Sequence, residues 1–408
     1  MERIYLLIVA LLVYSSLFSQ ISITGELRPR AEFRDGYLTL RGDNSDPAFF
    51  VSQRNRLNLS YNSEKYSAFI AFQDVRVWGD EKFNAYNPSV ALHETWAKLY
   101  LSENWTLKVG RQTINLDNKR IFSEANWNQT SKKHDAARLS FKNDSWSIDF
   151  INAFNQASEN TFGTDYTNGL GNYKYLSTLW VSKSIKNAKL QAFVLFDGFQ
   201  HSADTVYSRF TSGAIVQLSR GSFSCDARVF GQGGKLVSGQ EVSSFLINLE
   251  GRYKYQKSIF TLGGELLSGN NSRHSDGKSH TFEMPYGAKH AFNGSMDYFK
   301  KSSETKNSGL VDGYLKWVQK LNDKTTLMID YHCFSSAVSY LVADVEYGKY
   351  LASELDFTLK KSIAKSMSFE CGYSCLKGSS SLQIMKGGNA ARFSHWAYMM
   401  LTFKPVFL

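Results

Sequence analysis

This 408-residue sequence contains many segments in which polar and apolar residues alternate. Eight of its arginines lie on the polar face of such a segment. They are Arg28, Arg30, Arg54, Arg56, Arg138, Arg209, Arg228 and Arg252. A planar guanidinium suits bidentate recognition of carboxylates. The same faces also carry acids such as Glu26, Glu32 and Asp226. Two interpretations stay open: a ladder of ion pairs that stiffens a wall, or an electropositive track that replaces the water around an anion.

Residues for covalent or acid–base chemistry are sparse. His134 precedes Asp135, His332 lies on the polar face of its segment, and His290 lies in the longest predicted loop. No strained nucleophile motif and no histidine cluster with metal-ligand spacing accompanies them. We therefore expect neither an enzyme nor a cofactor or metal site, with a hydrolase built into the protein as a remote alternative.

The N-terminus predicts where the protein works. Residues 1–19 hold one arginine, an apolar run and then small residues, which is typical of a cleaved secretory signal peptide, and residues 20–408 form a single domain. Export permits disulfides, yet only four cysteines occur, and their apolar positions indicate small lipid-facing or packed hydrophobes. They are Cys225, Cys333, Cys371 and Cys375. The net charge of +10 fits an anionic partner, and export excludes nucleic acid.

The elements that must position the arginines are strands with a period of two. In 21–34, Ile21, Leu27 and Phe33 share one face, and the arginines and glutamates share the other. Each segment of this kind has the length of a tilted strand that crosses a bilayer, about 9 to 11 residues. Eighteen are predicted: 21–34, 49–61, 66–78, 91–101, 104–114, 133–142, 144–155, 172–183, 189–198, 207–218, 221–232, 241–255, 258–268, 310–321, 325–334, 349–360, 365–376 and 394–405.

The connections between these segments alternate between long and short, as 35–48 and 62–65 do at the start. Nine long and eight short connections are expected of an up-and-down barrel with long outer loops, short periplasmic turns and both termini in the periplasm. Lipid offers no hydrogen-bond partner, so a sheet in the bilayer must close on itself. The predicted fold class is therefore all-β, a single transmembrane antiparallel β-barrel of about 18 strands in the cell outer membrane.

Such a barrel presents two different surfaces. Its outer wall contacts outer-membrane lipid and places aromatic residues at the interfaces. We expect these to be Trp105, Trp146, Tyr253, Tyr255, Trp317, Trp396 and Tyr398. Its lumen is too wide for wall side chains to fill, so we expect water inside. We also expect the loop 269–309 to fold inward as a lid or constriction.

Several motifs together resemble the alginate export family of outer-membrane barrels. They include LKVGRQ at 107–112, Arg120 followed by Ile and Phe, Trp127, HDA at 134–136, and WAYMMLTFKP at 396–405. The resemblance implies an eighteen-stranded barrel with an arginine-lined constriction through which a polyuronate chain is secreted. It adds Arg111 and Arg120 to the candidate anion-binding residues. Arg138, already a candidate, is also a position of the family motif.

Arg111 raises a problem of register. It shares the parity of Leu107 and Val109, which should face lipid. We therefore expect either a bulge near Gly110 that turns Arg111 inward or a position at the rim above the membrane.

The sequence as a whole predicts a passive outer-membrane channel for an anionic, alginate-like saccharide. The alternative is a general or substrate-selective anion porin for small carboxylates or nutrients, and a structural or adhesin barrel is a third class. The expected partners are outer-membrane lipid and an anionic polysaccharide or small anionic solute. The sequence identifies no periplasmic secretion or uptake partner.

Overall fold

The protein forms a closed barrel of eighteen antiparallel strands. The computed structural model describes residues 20–82, 89–166, 172–342 and 345–408, so the predicted signal peptide lies outside the described residues. The strands are β1 (Ile21–Asp35), β2 (Ala48–Asn62), β3 (Tyr66–Val77), β4 (Ala91–Tyr100), β5 (Trp105–Gln112), β6 (His134–Lys142), β7 (Trp146–Phe154), β8 (Tyr175–Ile185), β9 (Ala188–Ser202), β10 (Thr205–Arg220), β11 (Phe223–Lys235), β12 (Glu241–Tyr255), β13 (Ser258–Leu267), β14 (Leu310–Asn322), β15 (Thr325–Ser335), β18 (Tyr350–Ala364), β19 (Met367–Gly378) and β20 (Phe393–Phe403). A separate small hairpin, β16 (Tyr340–Val342) and β17 (Val345–Tyr347), lies in the loop before β18.

Closure depends on β1, which pairs with β2 on one side and with β20 on the other. The last residues of the chain continue this seam. The amide of Gly25 donates to the Pro405 carbonyl and that of Ile23 to the Leu408 carbonyl, both at 2.9 Å. Residues 404–408 therefore cover the end of the seam that the shorter β20 leaves unpaired.

The two faces of the wall follow the predicted alternation. On β1, Arg28 and Arg30 are 4% and 6% exposed, whereas Leu27 and Phe33 are each 39% exposed and face outward. The predicted placement of Trp396 and Tyr398 is wrong, because both point into the lumen and Trp396 is fully buried. The lumen can hold these rings because loop residues, including Trp127, pack against them.

The connections confirm the sidedness with one exception. The short-turn side has links of two to four residues, as at 63–65 and 256–257. On the other side, the link between β9 and β10 is only 203–204, because both strands extend well beyond the predicted ends. The last outer loop contains a helix, Ser380–Lys386, whose N-cap Ser379 accepts from the Leu382 amide. In the described part of the chain, no helix is long and apolar enough to cross a membrane.

The predicted bulge at Gly110 is absent, since the β4–β5 and β5–β6 registers run through it unshifted. The irregularity lies one strand away, where β3 pairs Ala71 with Glu94 and Phe72 with Leu92, so His93 is the extra residue. Gly110 is nonetheless special, with φ +123°. A Cβ there would lie 2.3 Å from the Thr95 carbonyl oxygen.

Gly110→Ala should destabilise the barrel by more than about 1 kcal/mol, because alanine tolerates neither this φ nor the contact. Gly313→Ala is the matched control, since a Cβ on that strand glycine meets nothing within 4 Å. Heat-modifiable migration in gel electrophoresis would report both melting temperatures. Equal melting temperatures for the two variants would contradict the expectation.

Candidate functional site

Two outer loops enter the lumen and cross it. The first inner loop, residues 113–133, contacts Gln73 of β3 through the Thr130 carbonyl at 3.1 Å and Arg228 of β11 through Asp117 at 2.7 Å. These strands lie on well-separated parts of the wall, so the loop spans the barrel. The inward fold of this loop into the lumen was not predicted from the sequence.

The second inner loop, residues 268–309, confirms the expectation of an inward fold. Its Tyr286 hydroxyl donates to Asp197 of β9 at 2.7 Å, and its Met296 amide donates to Glu354 of β18 at 2.7 Å. The loops also bind each other, as the Tyr286 amide donates to the Ile121 carbonyl at 3.0 Å. Together they form one barrier that is fixed to the wall on several sides.

Three of the predicted arginines form a track on β1 and β2, where Arg28 lies directly opposite Arg54. Arg28 donates to the carbonyl of Asn126 at 2.8 Å and to the side-chain oxygen of Gln129 at 2.8 Å. Arg54 donates to the side-chain oxygen of Asn126 at 2.9 Å and also pairs with Glu26. The inward face of this wall thus binds oxygens of the first inner loop.

Arg30, the third residue of the track, holds Trp127 in two ways. Its guanidinium donates to the Trp127 carbonyl at 2.8 Å and lies 4.2 Å from the centre of the indole ring. The opposite side of that ring stacks on His290 of the second inner loop, with centroids 4.2 Å apart and planes 13° apart. Trp127 therefore joins the wall and both inner loops.

Three other predicted arginines lie elsewhere on the inner wall. Arg138 pairs with Asp149 through two hydrogen bonds of 2.8 and 2.9 Å, and Arg209 pairs with Asp197 at 3.1 and 2.6 Å. Arg56, beside the track on β2, donates to Gln73 at 2.6 Å. For the first two, the geometry is that of a ladder of ion pairs.

Arg228 and Arg252 share one acid across neighbouring strands. Both pair with Asp226, at 2.9 and 2.7 Å, and Arg252 also pairs with Glu250. Arg228 in addition holds Asp117 of the first inner loop. These residues line a cavity of about 510 Å³ that carries both signs of charge.

Arg120 lies in the first inner loop and is 1% exposed. It pairs with Glu265 of β13 and donates to the side chain of Asn293 at 2.9 Å. Its guanidinium also lies 4.4 Å from the ring centre of Phe292. It therefore links the two inner loops to the wall.

Arg111 does not line the lumen. It keeps the outward parity of Val109 and pairs with Asp135 through bonds of 2.8 and 2.9 Å. Because it is the penultimate residue of β5, and Asp135 the second of β6, the pair lies at the outer end of both strands. The expectation of a rim position therefore fits, and the inward orientation is wrong because the register contains no bulge.

Two lumen lysines that were not among the predicted anion-binding residues also lack an acidic partner. Lys98 and Lys108 face each other across β4 and β5, and no carboxylate of a described residue lies within 4.0 Å of either ammonium. Lys108 lies 3.7 Å from the ring centre of Trp96, and Lys98 lies 5.0 Å from that of Tyr100. With Arg138 they line a cavity of about 810 Å³ on the short-turn side.

The histidines singled out from the sequence all have partners. His134 shares a hydrogen bond of 2.9 Å with the Tyr173 hydroxyl, and His332 shares one of 2.9 Å with Asp312. Among the described residues, no group of three or more His, Cys, Asp or Glu is placed to hold a metal ion.

Asp297 is the centre of a polar cluster where the second inner loop meets the loop after β1. It accepts from Tyr37, from His290 at 3.0 Å and from Lys300 at 3.1 Å. Burial alone would raise the pKa of Asp297, but His290 and Lys300 outweigh burial and hold the pKa below its ordinary value. The ionised carboxylate therefore stabilises this junction.

A closed eighteen-stranded barrel with a charged lumen and inward loops defines the class of outer-membrane channels. Similar solved structures include OpdL (TM-score 0.65, 13% identity, covering 96% of this chain and 100% of that chain) and OprD (0.64, 10%, 95% and 94%) from Pseudomonas aeruginosa. OpdK from the same organism, in a structure with vanillate, is also similar (0.61, 10%, 95% and 99%). No curated protein matches the sequence.

The family follows from the sequence itself. The family model for alginate export matches residues 19–378, which is nearly the whole chain. The protein belongs to the alginate export family, as the motif resemblance predicted. Family and fold together place it in the outer membrane and support a channel.

The Arg120–Glu265 pair generates the first prediction for this site. Arg120→Met should destabilise the protein by about 3 to 5 kcal/mol, because it leaves the buried Glu265 without an ion-pair partner and, among the described residues, with only the hydrogen bond from Asn293. Arg120→Met combined with Glu265→Gln should recover most of that loss. Chemical denaturation in detergent would measure both, and a double variant as unstable as the single one would contradict the expectation.

Asp297 generates a pH-dependent prediction. Its pKa is lower in the folded protein, so its contribution is present above the ordinary carboxyl pKa near 3.8 and is lost as pH falls through the folded value. Asp297→Asn should therefore cost about 2 kcal/mol at pH 7, and this cost should shrink progressively as pH falls below 3.8. Melting temperatures at several pH values would test this, with Asp323→Asn in a short turn as control. A constant difference across pH would contradict it.

Proposed function

We propose that the protein is a passive outer-membrane channel for an anionic saccharide of the polyuronate class. The observation that carries the proposal is the pair Lys98 and Lys108, whose charges no described carboxylate neutralises at ion-pair distance and which line the larger cavity on the short-turn side. Membership of the alginate export family and the net charge of +10 support it. No catalytic role is proposed for any residue.

Passage would depend on exchange of hydration for protein contacts. A carboxylate entering the cavity meets the ammonium groups of Lys98 and Lys108 and the Arg138 guanidinium, which compensate for the water that it loses. The lining also carries Lys142, Glu103 and Asp144, so its basic groups outnumber its acids by one. Asp149 already accepts both bonds from Arg138, so that arginine contributes less than the lysines. Ring faces of Trp96 and Tyr100 beside the lysines keep the ammonium groups positioned.

A second candidate function is a porin for small carboxylates. The size of the two cavities, about 510 and 810 Å³, favours it, since this is the range of small-molecule sites. OpdK, which has the same fold, was crystallised with vanillate. Both candidates use the same cations and differ in the length of the solute.

Planar-bilayer recording separates them and tests the proposal. We expect anion-selective reversal potentials and current block by oligouronates but not by neutral dextran. Block by a monomeric carboxylate alone would favour the porin, and cation selectivity would overturn both. Lys98→Glu with Lys108→Glu should weaken block by about tenfold or more, because two attractive charges become repulsive. Lys324→Glu, the same change in a short turn outside the lumen, is the control and should leave block unchanged.

A further inference from the structure

The oxygens bound by the arginine track come from one short run of chain. Arg28 donates to the carbonyls of Asn126 and Asn128, at 2.8 and 3.3 Å, and Arg30 donates to that of Trp127. Three successive carbonyl oxygens thus lie along adjacent guanidinium groups. A polyuronate bound along these arginines would likewise place a row of acceptor oxygens, those of its carboxylates, against the guanidinium groups.

The loop is a weaker ligand for the track than a polyanion. Its carbonyl and amide oxygens are neutral, whereas a carboxylate adds a negative charge and can accept two parallel hydrogen bonds from one guanidinium. Among the described residues, Glu26 pairs with Arg54 and Glu32 pairs with Arg30, whereas no described carboxylate lies at ion-pair distance from Arg28. While the loop occupies the track, the charge of Arg28 is therefore met by neutral oxygens.

Residues Asn126–Gln129 lie on the track and are called the flap. Hydrogen bonds between the chain segments on either side of the flap form its neck. At the neck, the Glu124 carbonyl accepts from the Lys132 amide and from the Ser131 hydroxyl, both at 2.6 Å. Ala125 and Ser131, on either side of the flap, have φ of +48° and +60°, a backbone region that is unfavourable for residues other than glycine. Neither hydrogen bond of the neck involves an arginine of the track, so the neck does not depend on the contacts between flap and wall.

We propose that Arg28, Arg30 and Arg54 form a binding track for the carboxylates of the transported saccharide, and that the flap Asn126–Gln129 occupies this track as an intramolecular competitor until the saccharide displaces it. This inference rests on the proposed function. It assigns the flap the role of a substitute ligand that keeps the track filled when no solute is present.

A competing flap and a merely structural flap predict different changes in saccharide affinity when the flap is weakened. The apparent dissociation constant equals the intrinsic one divided by the fraction of molecules with a free track. A change that weakens the flap without touching the arginines must therefore tighten binding of the saccharide. Loss of a merely structural contact would leave affinity unchanged or lower it.

The experiment measures binding of a defined oligouronate to the full-length protein in detergent by isothermal titration calorimetry at low salt. Trp127→Ala removes the ring contacts with Arg30 and His290 and leaves the backbone carbonyl that accepts from Arg30, and we expect about fivefold tighter binding. Asn126→Ala removes one acceptor from Arg54 and should tighten binding by about twofold. Trp127→Phe keeps a stacking ring and is the matched control. Arg28→Gln, on the track itself, should weaken binding about tenfold.

The outcomes separate this inference from the proposed function. If the wild-type protein binds no oligouronate, the proposed function fails, and the inference fails with it. If the wild-type protein binds but Trp127→Ala and Asn126→Ala bind with equal or lower affinity, the flap is not a competitor and the channel proposal stands. If Trp127→Ala does not fold, the affinity of Asn126→Ala alone decides whether the flap competes with the saccharide. Unchanged affinity in Arg28→Gln would also overturn the assignment of the track.

Discussion

Closure of the sheet between β1 and β20 is the constraint from which the other features follow. A strand edge in lipid would leave backbone groups unpaired, so all eighteen strands must pair on both sides. A barrel of this width leaves a lumen that wall side chains alone cannot fill. The two inner loops fill this space. Buried arginines such as Arg28 and Arg54 donate to loop oxygens, and the loop aromatic Trp127 packs against Trp396.

The interior arginines consequently divide by their partners. Arg138, Arg209, Arg228 and Arg252 pair with acids of the wall or of the first inner loop. Breaking a buried pair such as Arg209–Asp197 or Arg228–Asp226 leaves an uncompensated charge, so these two arginines serve the architecture first. The ion-pair interpretation of the sequence pattern therefore describes them well. The track on β1 and β2 differs, because most of its acceptors are neutral oxygens of a loop.

Much of the fold was predictable because it is local. Alternation fixes which face of β1 carries Arg28 and which carries Leu27, and no distant residue changes that. The errors arise where distant segments decide the outcome. Trp396 and Tyr398 look like interface aromatics until the first inner loop packs against them. The bulge expected at Gly110 is absent, and the irregularity lies instead at His93, where β4 pairs with β3, so it depends on a strand that does not pair with β5.

The site was harder to predict than the fold for a related reason. Arginine is conspicuous in a sequence, but whether its charge is available depends on which acids fold beside it. Lys98 and Lys108 attract less attention, yet no described carboxylate pairs with them. A lumen of this kind needs both sorts of cation, since paired arginines hold the wall rigid and unpaired charges attract the solute. Under the proposed function, selectivity depends on the cations that the folded wall leaves without an acidic partner, and counting basic residues in the sequence overestimates the number of such cations.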